Sequence, residues 1–179
     1  MNIKVHKTNI DDVLIFQPEK FLDHRGYLIE SYNKSLYKKY LPSVNFVQEN
    51  ESKSTFGVLR GLHYQESPYS QAKLVRVIKG EIQDVAVDIR KKSSTYLKHV
   101  SAILNDENKK QLYIPRGFAH GFLVLSKEAI VSYKIDNFFN FESYKGIKYN
   151  DPKININWEL DSDKIILSEK DNKLDYIDI

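Results

Sequence analysis

Residues 73–90 read KLVRVIKGEIQDVAVDIR. The run is rich in β-branched residues and breaks once, at Lys79-Gly80-Glu81, so it reads as two strands joined by a turn. In the second half Val85, Val87 and Ile89 alternate with Asp84, Ala86 and Asp88, the period of two expected of a strand buried on one face. Outward from this pair the same texture recurs in VLIFQP (13–18), GYLIESYN (26–33), VNFVQENES (44–52) and GVLRGLHYQ (57–65). It continues in HVSAILN (99–105), QLYIPRG (111–117), HGFLVLS (120–126) and AIVSYKI (129–135). Ten short strand-like runs at this spacing predict an all-β sandwich or barrel, and a jelly-roll barrel is the expected form. KSLYKKYL (34–41) predicts a short helix, with Asn33 or Ser35 as its cap. No linker, repeat or low-complexity stretch divides the chain, so residues 1–179 are expected to form a single domain.

The 179 residues can bury a sizeable core, and a hydrophobic share of 41% is ordinary for a globular chain. A net charge of +3, with bases and acids interspersed, argues against a nucleic-acid partner yet favours a small anionic ligand. With no cysteine, thiolate catalysis and Cys-zinc sites are excluded. The opening MNIKVHKTNIDD lacks the apolar stretch of a secretory leader, and no apolar run approaches the roughly 20 residues of a membrane span. A cytoplasmic protein without membrane contact is expected.

RGLHYQ, residues 60–65, sets an arginine and a histidine in a stretch otherwise suited to a core strand. A lone strand histidine is usually a core residue with both nitrogens satisfied. Here Arg60 lies three residues away and Lys73 opens the next strand, a concentration of cations that calls for an anion. Strict alternation would point Arg60 and His63 to opposite faces, and Gly61 marks a bulge that re-aims one of them. Tyr133, in AIVSYKI, is either a core aromatic or a weak acid able to give a proton. Lys170 and Asp171, in LSEKD, read on local grounds as a solvated charged turn.

IPRGFAHGF (114–122) contains Pro115, Gly117 and His120 in a P-x-G-x-x-H pattern that resembles the second box of the cupin superfamily. Metal-binding cupins add an H-x-H and a Glu upstream. No H-x-H occurs in this chain, and two histidines make a poor metal site, so no metal is expected.

RGLHYQ, PRGFAHGF and LSEKD, with FLDHRGYLIESYN (21–33), FVQENES (46–52), YKIDNFF (133–139) and GIKYNDP (146–152), together resemble the dTDP-4-dehydrorhamnose 3,5-epimerase family. The resemblance runs through nearly the whole chain. It implies a cofactor-free jelly-roll homodimer acting on dTDP-4-keto-6-deoxyglucose, with residues lent across the interface. It implies His63 as general base held by Asp171, Lys73 beside the developing enolate, and Tyr133 as the proton donor. Substrate contacts carry over to Arg25, Glu30, Gln48, Asn50, Arg60, His120, Phe138 and Lys170.

Two departures touch substrate fit. Phe138-Phe139 stand where the family has Tyr-Tyr, and Tyr144 replaces an acidic residue in F-E-S-Y-K-G-I. Other readings are an epimerase of one centre, or of another nucleoside-diphosphate 4-keto-6-deoxy sugar. A sugar-binding cupin without activity would be expected to lack part of the His-Asp-Lys-Tyr set. A 3,4-ketoisomerase would place its histidines differently.

Overall fold

The computed structural model describes residues 2–178. The first sheet takes β1 (Ile3–Lys7), β2 (Leu14–Pro18), β5 (Gln48–Thr55), β7 (Lys73–Lys79), β10 (Gln111–Ile114) and β12 (Glu128–Ile135) in the order β1-β2-β10-β7-β12-β5. The second takes β6 (Leu59–Gln65), β8 (Glu81–Asp88), β9 (His99–Asn105), β11 (Phe118–Val124) and β13 (Tyr144–Gly146) in the order β13-β6-β11-β8-β9. A separate hairpin pairs β3 (Lys20–Asp23) with β4 (Gly26–Ile29). Every pairing between strands is antiparallel. This is a jelly roll of two facing sheets rather than a closed barrel.

The ten sequence runs all carry strands, and three more, β1, β3 and β13, escaped them. The helix expected over 34–41 is shorter. Regular α1 covers Lys34–Tyr37, and three-residue turns at Lys39 and Tyr40 tighten the chain beyond it. Asn33 is its cap, its Oδ1 accepting from the amides of Ser35 and Leu36.

The core between the sheets follows the period of two. Val75 and Val77 of β7, Leu112 and Ile114 of β10, and Ala129 and Val131 of β12 face Ile82, Ala86, Phe118, Phe122 and Val124. The expectation of a half-buried β8 is corrected, because residues Ile82–Asp88 are all buried. Val85 and Val87 leave the inter-sheet core and pack outward with Leu62, Ala119, Ile147 and Ile154, with Ile156 and Trp158 against them. The segment after β13 thus covers the outer face, and Asp84 takes the inner one.

At one end the inter-sheet space opens. There β6 carries an irregularity: His120 stands opposite His63, but Phe122 stands opposite Arg60, three positions back. The surplus residue in β6 is a bulge at Gly61, whose φ is +132°. A Cβ on Gly61 would lie 2.5 Å from the Cα of Gly121, so only glycine lets the two strands approach here.

Candidate active site

The opening is a cavity of about 530 Å³ walled by both sheets and the C-terminal segment. Arg60 and His63 both line it, as a bulge allows and strict alternation forbids. Lys73 enters at the start of β7, on the face of Val75 and Val77. Tyr133 comes from β12, with Val75 on one side and Asn50 of β5 on the other. His120 comes from β11. A narrower arm of about 180 Å³ shares His63, Lys73, Tyr133 and Tyr144 and adds Asn50 and Phe139.

Lys170 and Asp171 reach the cavity by a tertiary route. A parallel bridge between Val58 and Ile166 pins the tail beside β6, reinforced by amide bonds from Leu59 to Ile166 and from Ile166 to Gly57. The four-residue helix α2 (Glu169–Asn172) follows, capped by Ser168, whose Oγ accepts from the Asp171 amide. Asp171 is thereby set against the imidazole of His63, with Oδ1 2.6 Å from Nε2. Burial works to raise the Asp171 carboxyl, but the bonds from His63 and Ser168 outweigh it and hold its pKa below the ordinary value. With Nε2–H donated to the carboxylate, Nδ1 of His63 is the nitrogen free to accept a proton.

A second pair sits deeper. His120 Nε2 lies 2.6 Å from Oδ1 of Asp84, which is fully buried. Burial lowers the His120 pKa, with Asp84 opposing. Among the described residues the other carboxylate oxygen of Asp84 has no hydrogen-bond partner. Burial also draws Lys73 down from 10.5 to about 8, again against the pull of Asp84.

Sequence reasoning missed Asp84, which it read as the polar side of a half-exposed strand. It also missed Ser52 and Ser54. Ser52 lines the cavity with a buried hydroxyl that has no hydrogen-bond partner among the described residues, and the Ser54 hydroxyl accepts from Nε of Arg60 at 2.9 Å. The signal was present in β5, where Gln48, Asn50, Ser52 and Ser54 recur at every second position.

The remaining expected residues divide. Gln48 donates to the Asn50 side chain at 2.8 Å, at the rim of the arm. Of the two phenylalanines, Phe139 lines the arm, while Phe138 is 63% exposed outside it. Arg25 and Glu30 do not line the cavity. Arg25 projects from the tip of the β3–β4 hairpin, paired with Asp23 at 2.6 Å. Glu30 accepts from the Asn33 side chain at 3.0 Å.

The family model for dTDP-4-dehydrorhamnose 3,5-epimerase matches residues 7–178. A relative of that name from Shigella flexneri is 53% identical over 170 residues, covering 94% of this chain and 93% of its own. The Elizabethkingia anophelis dTDP-4-dehydrorhamnose 3,5-epimerase has a crystal structure that superposes with a TM-score of 0.93 at 47% identity, covering 97% of this chain and 96% of its own. An epimerase structure from Legionella pneumophila, in complex with dTDP-4-keto-L-rhamnose, gives a TM-score of 0.94 at 44% identity, over 98% of this chain and 93% of its own. The chain belongs to the dTDP-4-dehydrorhamnose 3,5-epimerase family.

Proposed function

We propose that this chain inverts C3 and C5 of dTDP-4-keto-6-deoxyglucose, giving dTDP-4-keto-L-rhamnose. The observation that carries the reading is the 2.6 Å His63–Asp171 pair opening onto a cavity that also holds Lys73 and Tyr133. The C4 ketone acidifies the protons on C3 and C5. Nδ1 of His63 takes one of them, and Asp171 stabilises the imidazolium that forms. The electron pair moves into an enolate with its charge on O4, beside the Lys73 ammonium. One such preorganised donor is worth several kcal/mol.

Tyr133 gives a proton to the opposite face of the same carbon, which inverts it. Solvent then reprotonates the tyrosinate and takes the proton from His63, and the cycle repeats at the second carbon. His120 plays a different part. Its Nε2–H is committed to Asp84 and burial keeps it neutral, so its other nitrogen suits a substrate hydroxyl rather than the enolate. Arg60 and Lys170 supply the charge for a diphosphate.

The assembly belongs to the same reading. The β3–β4 hairpin stands outside both sheets and exposes Phe21, Leu22, Tyr27 and Leu28. Such a surface supports a homodimer in which the partner's hairpin carries Arg25 to the cavity. The chain acts as one domain, and a cytoplasmic location suits a nucleotide-sugar substrate. Among the described residues no helix is long and apolar enough to cross a membrane.

The test is incubation with dTDP-4-keto-6-deoxyglucose in D₂O, followed by proton NMR. Loss of both the H3 and H5 signals is expected. Loss of one alone would make the chain a single-centre epimerase. No exchange would sink the reading for this sugar and direct the assay to GDP- and CDP-linked ketoses.

A further inference from the structure

Tyr144 stands between the acid-base residues and the cationic side of the cavity. It lies on β13 opposite Gln65, and its side chain lines both the main chamber and the arm. Its ring packs 5.2 Å from the imidazole of His63 and 5.6 Å from the ring of Phe139. The Lys170 ammonium sits 3.8 Å from the ring centroid. Among the described residues no carboxylate pairs with Lys170. A cation over an aromatic face is attracted by the ring quadrupole. Lysine otherwise has a mobile stem that loses rotamer freedom when it is fixed on a ligand. A ring that holds the ammonium beforehand removes part of that loss.

We infer that Tyr144 is a positioning residue whose ring seats the Lys170 ammonium over the cavity, ready for the diphosphate of a nucleotide sugar. The inference rests on the epimerase reading and adds a specificity element to its site. The ring carries the effect and the hydroxyl does not. Burial and the nearby Asp171 charge raise the hydroxyl's pKa, so it stays protonated throughout the working range. Lys170 and Asp171 are adjacent on α2, so a ring that steadies one also steadies the carboxylate behind His63.

The experiment measures dTDP affinity by calorimetry for wild type, Tyr144→Phe, Tyr144→Leu, Tyr144→Met and Lys170→Met, and for Lys170→Met combined with each ring-removing variant. Tyr144→Leu and Tyr144→Met should weaken dTDP binding between about twofold and fivefold. Tyr144→Phe should retain most of the affinity. In the Lys170→Met background, removing the ring should weaken binding little further, because the two act as a unit. Steady-state rates should show KM rising more than kcat falls.

Leucine and methionine both remove the ring, so if one variant fails to fold the other carries the comparison. Wild-type affinity in both of them would overturn the inference. So would a Phe variant as weak as Leu, which would make the hydroxyl the operative group, and so would fully additive effects with Lys170→Met. A wild-type protein without dTDP affinity would instead remove the epimerase reading, and this inference with it.

Discussion

Replacing Lys73 with methionine should stabilise the protein while disabling it. Lys73 is partly buried against the cavity, and burial draws its pKa from 10.5 down to about 8. Below about pH 8 the ammonium is charged in both folded and unfolded chains, and the folded state bears the whole desolvation penalty. Between about 8 and 10.5 the folded state gives up its proton first, so stability rises with pH. Above 10.5 the amine is neutral in both states and the penalty is gone. At about 1.4 kcal/mol per tenfold in the proton equilibrium, the penalty at neutral pH is at most roughly 3.5 kcal/mol. Water reaching the cavity reduces it to ~1–2 kcal/mol. Methionine keeps the stem and drops the charge, so Lys73→Met should gain that amount in urea unfolding at about pH 7 and lose most of the gain by about pH 10.

On the proposed mechanism the same substitution removes the donor beside O4, and turnover should fall by about 10²–10³. Wild-type kcat/KM should decline above about pH 8 as Lys73 deprotonates, and the residual activity of the variant should lack that limb. A variant less stable than wild type at neutral pH, or a stability gap that does not narrow with alkali, would refute the burial argument. Undiminished turnover would refute the assignment to the enolate.

His63→Ala should abolish deuterium exchange at both C3 and C5 while keeping the native circular-dichroism spectrum; exchange at the wild-type rate would remove His63 as the base. Tyr133→Phe should retain some exchange but misdirect inversion at one centre, and an unchanged product profile by NMR would clear Tyr133 of the acid role. Asp84→Asn removes the charge that holds the Lys73 pKa up, so the alkaline limb of kcat/KM should move below about 8; a limb that stays put would show that Asp84 does not set it. Gly61→Ala would place a Cβ 2.5 Å from Gly121 Cα and 2.8 Å from the His120 carbonyl, at φ +132°. It should lose about 2–4 kcal/mol in thermal or urea unfolding, and an unchanged midpoint would deny the close approach of β6 and β11.

The strands were legible wherever β-branched residues alternate with polar ones. The three that escaped are IKVHK, KFLD and YKG, short segments with no fully buried residue. β8 was misjudged for a physical reason. Its outer valines are covered by residues 147–158, far along the chain, and no local pattern reports such a cover. The error hid Asp84, because a strand taken to have one wet face invites its aspartates to be placed there. His63 and Asp171 lie 108 residues apart and meet only through the pinned tail, so family resemblance rather than spacing brought them together. The bulge at Gly61 was readable because two charged residues three apart on one strand cannot share a face without it.

The two His–Asp pairs make the same 2.6 Å contact, and their surroundings separate them. The His63 side chain is 22% exposed and opens on the cavity, whereas that of His120 is 8% exposed and its carboxylate has no solvent contact. A proton arriving on His63 creates an imidazolium that water and Asp171 both stabilise. A proton arriving on His120 would create a charge beside Lys73 in a buried setting, which is why its pKa falls despite Asp84. On the proposed mechanism the imidazole of His63 can therefore cycle while that of His120 stays neutral and holds Asp84 in place. Asp84 in turn limits how far burial can neutralise Lys73. On the proposed mechanism the deeper pair thus acts on the lysine's charge, and through it on the enolate, without taking the substrate's proton itself.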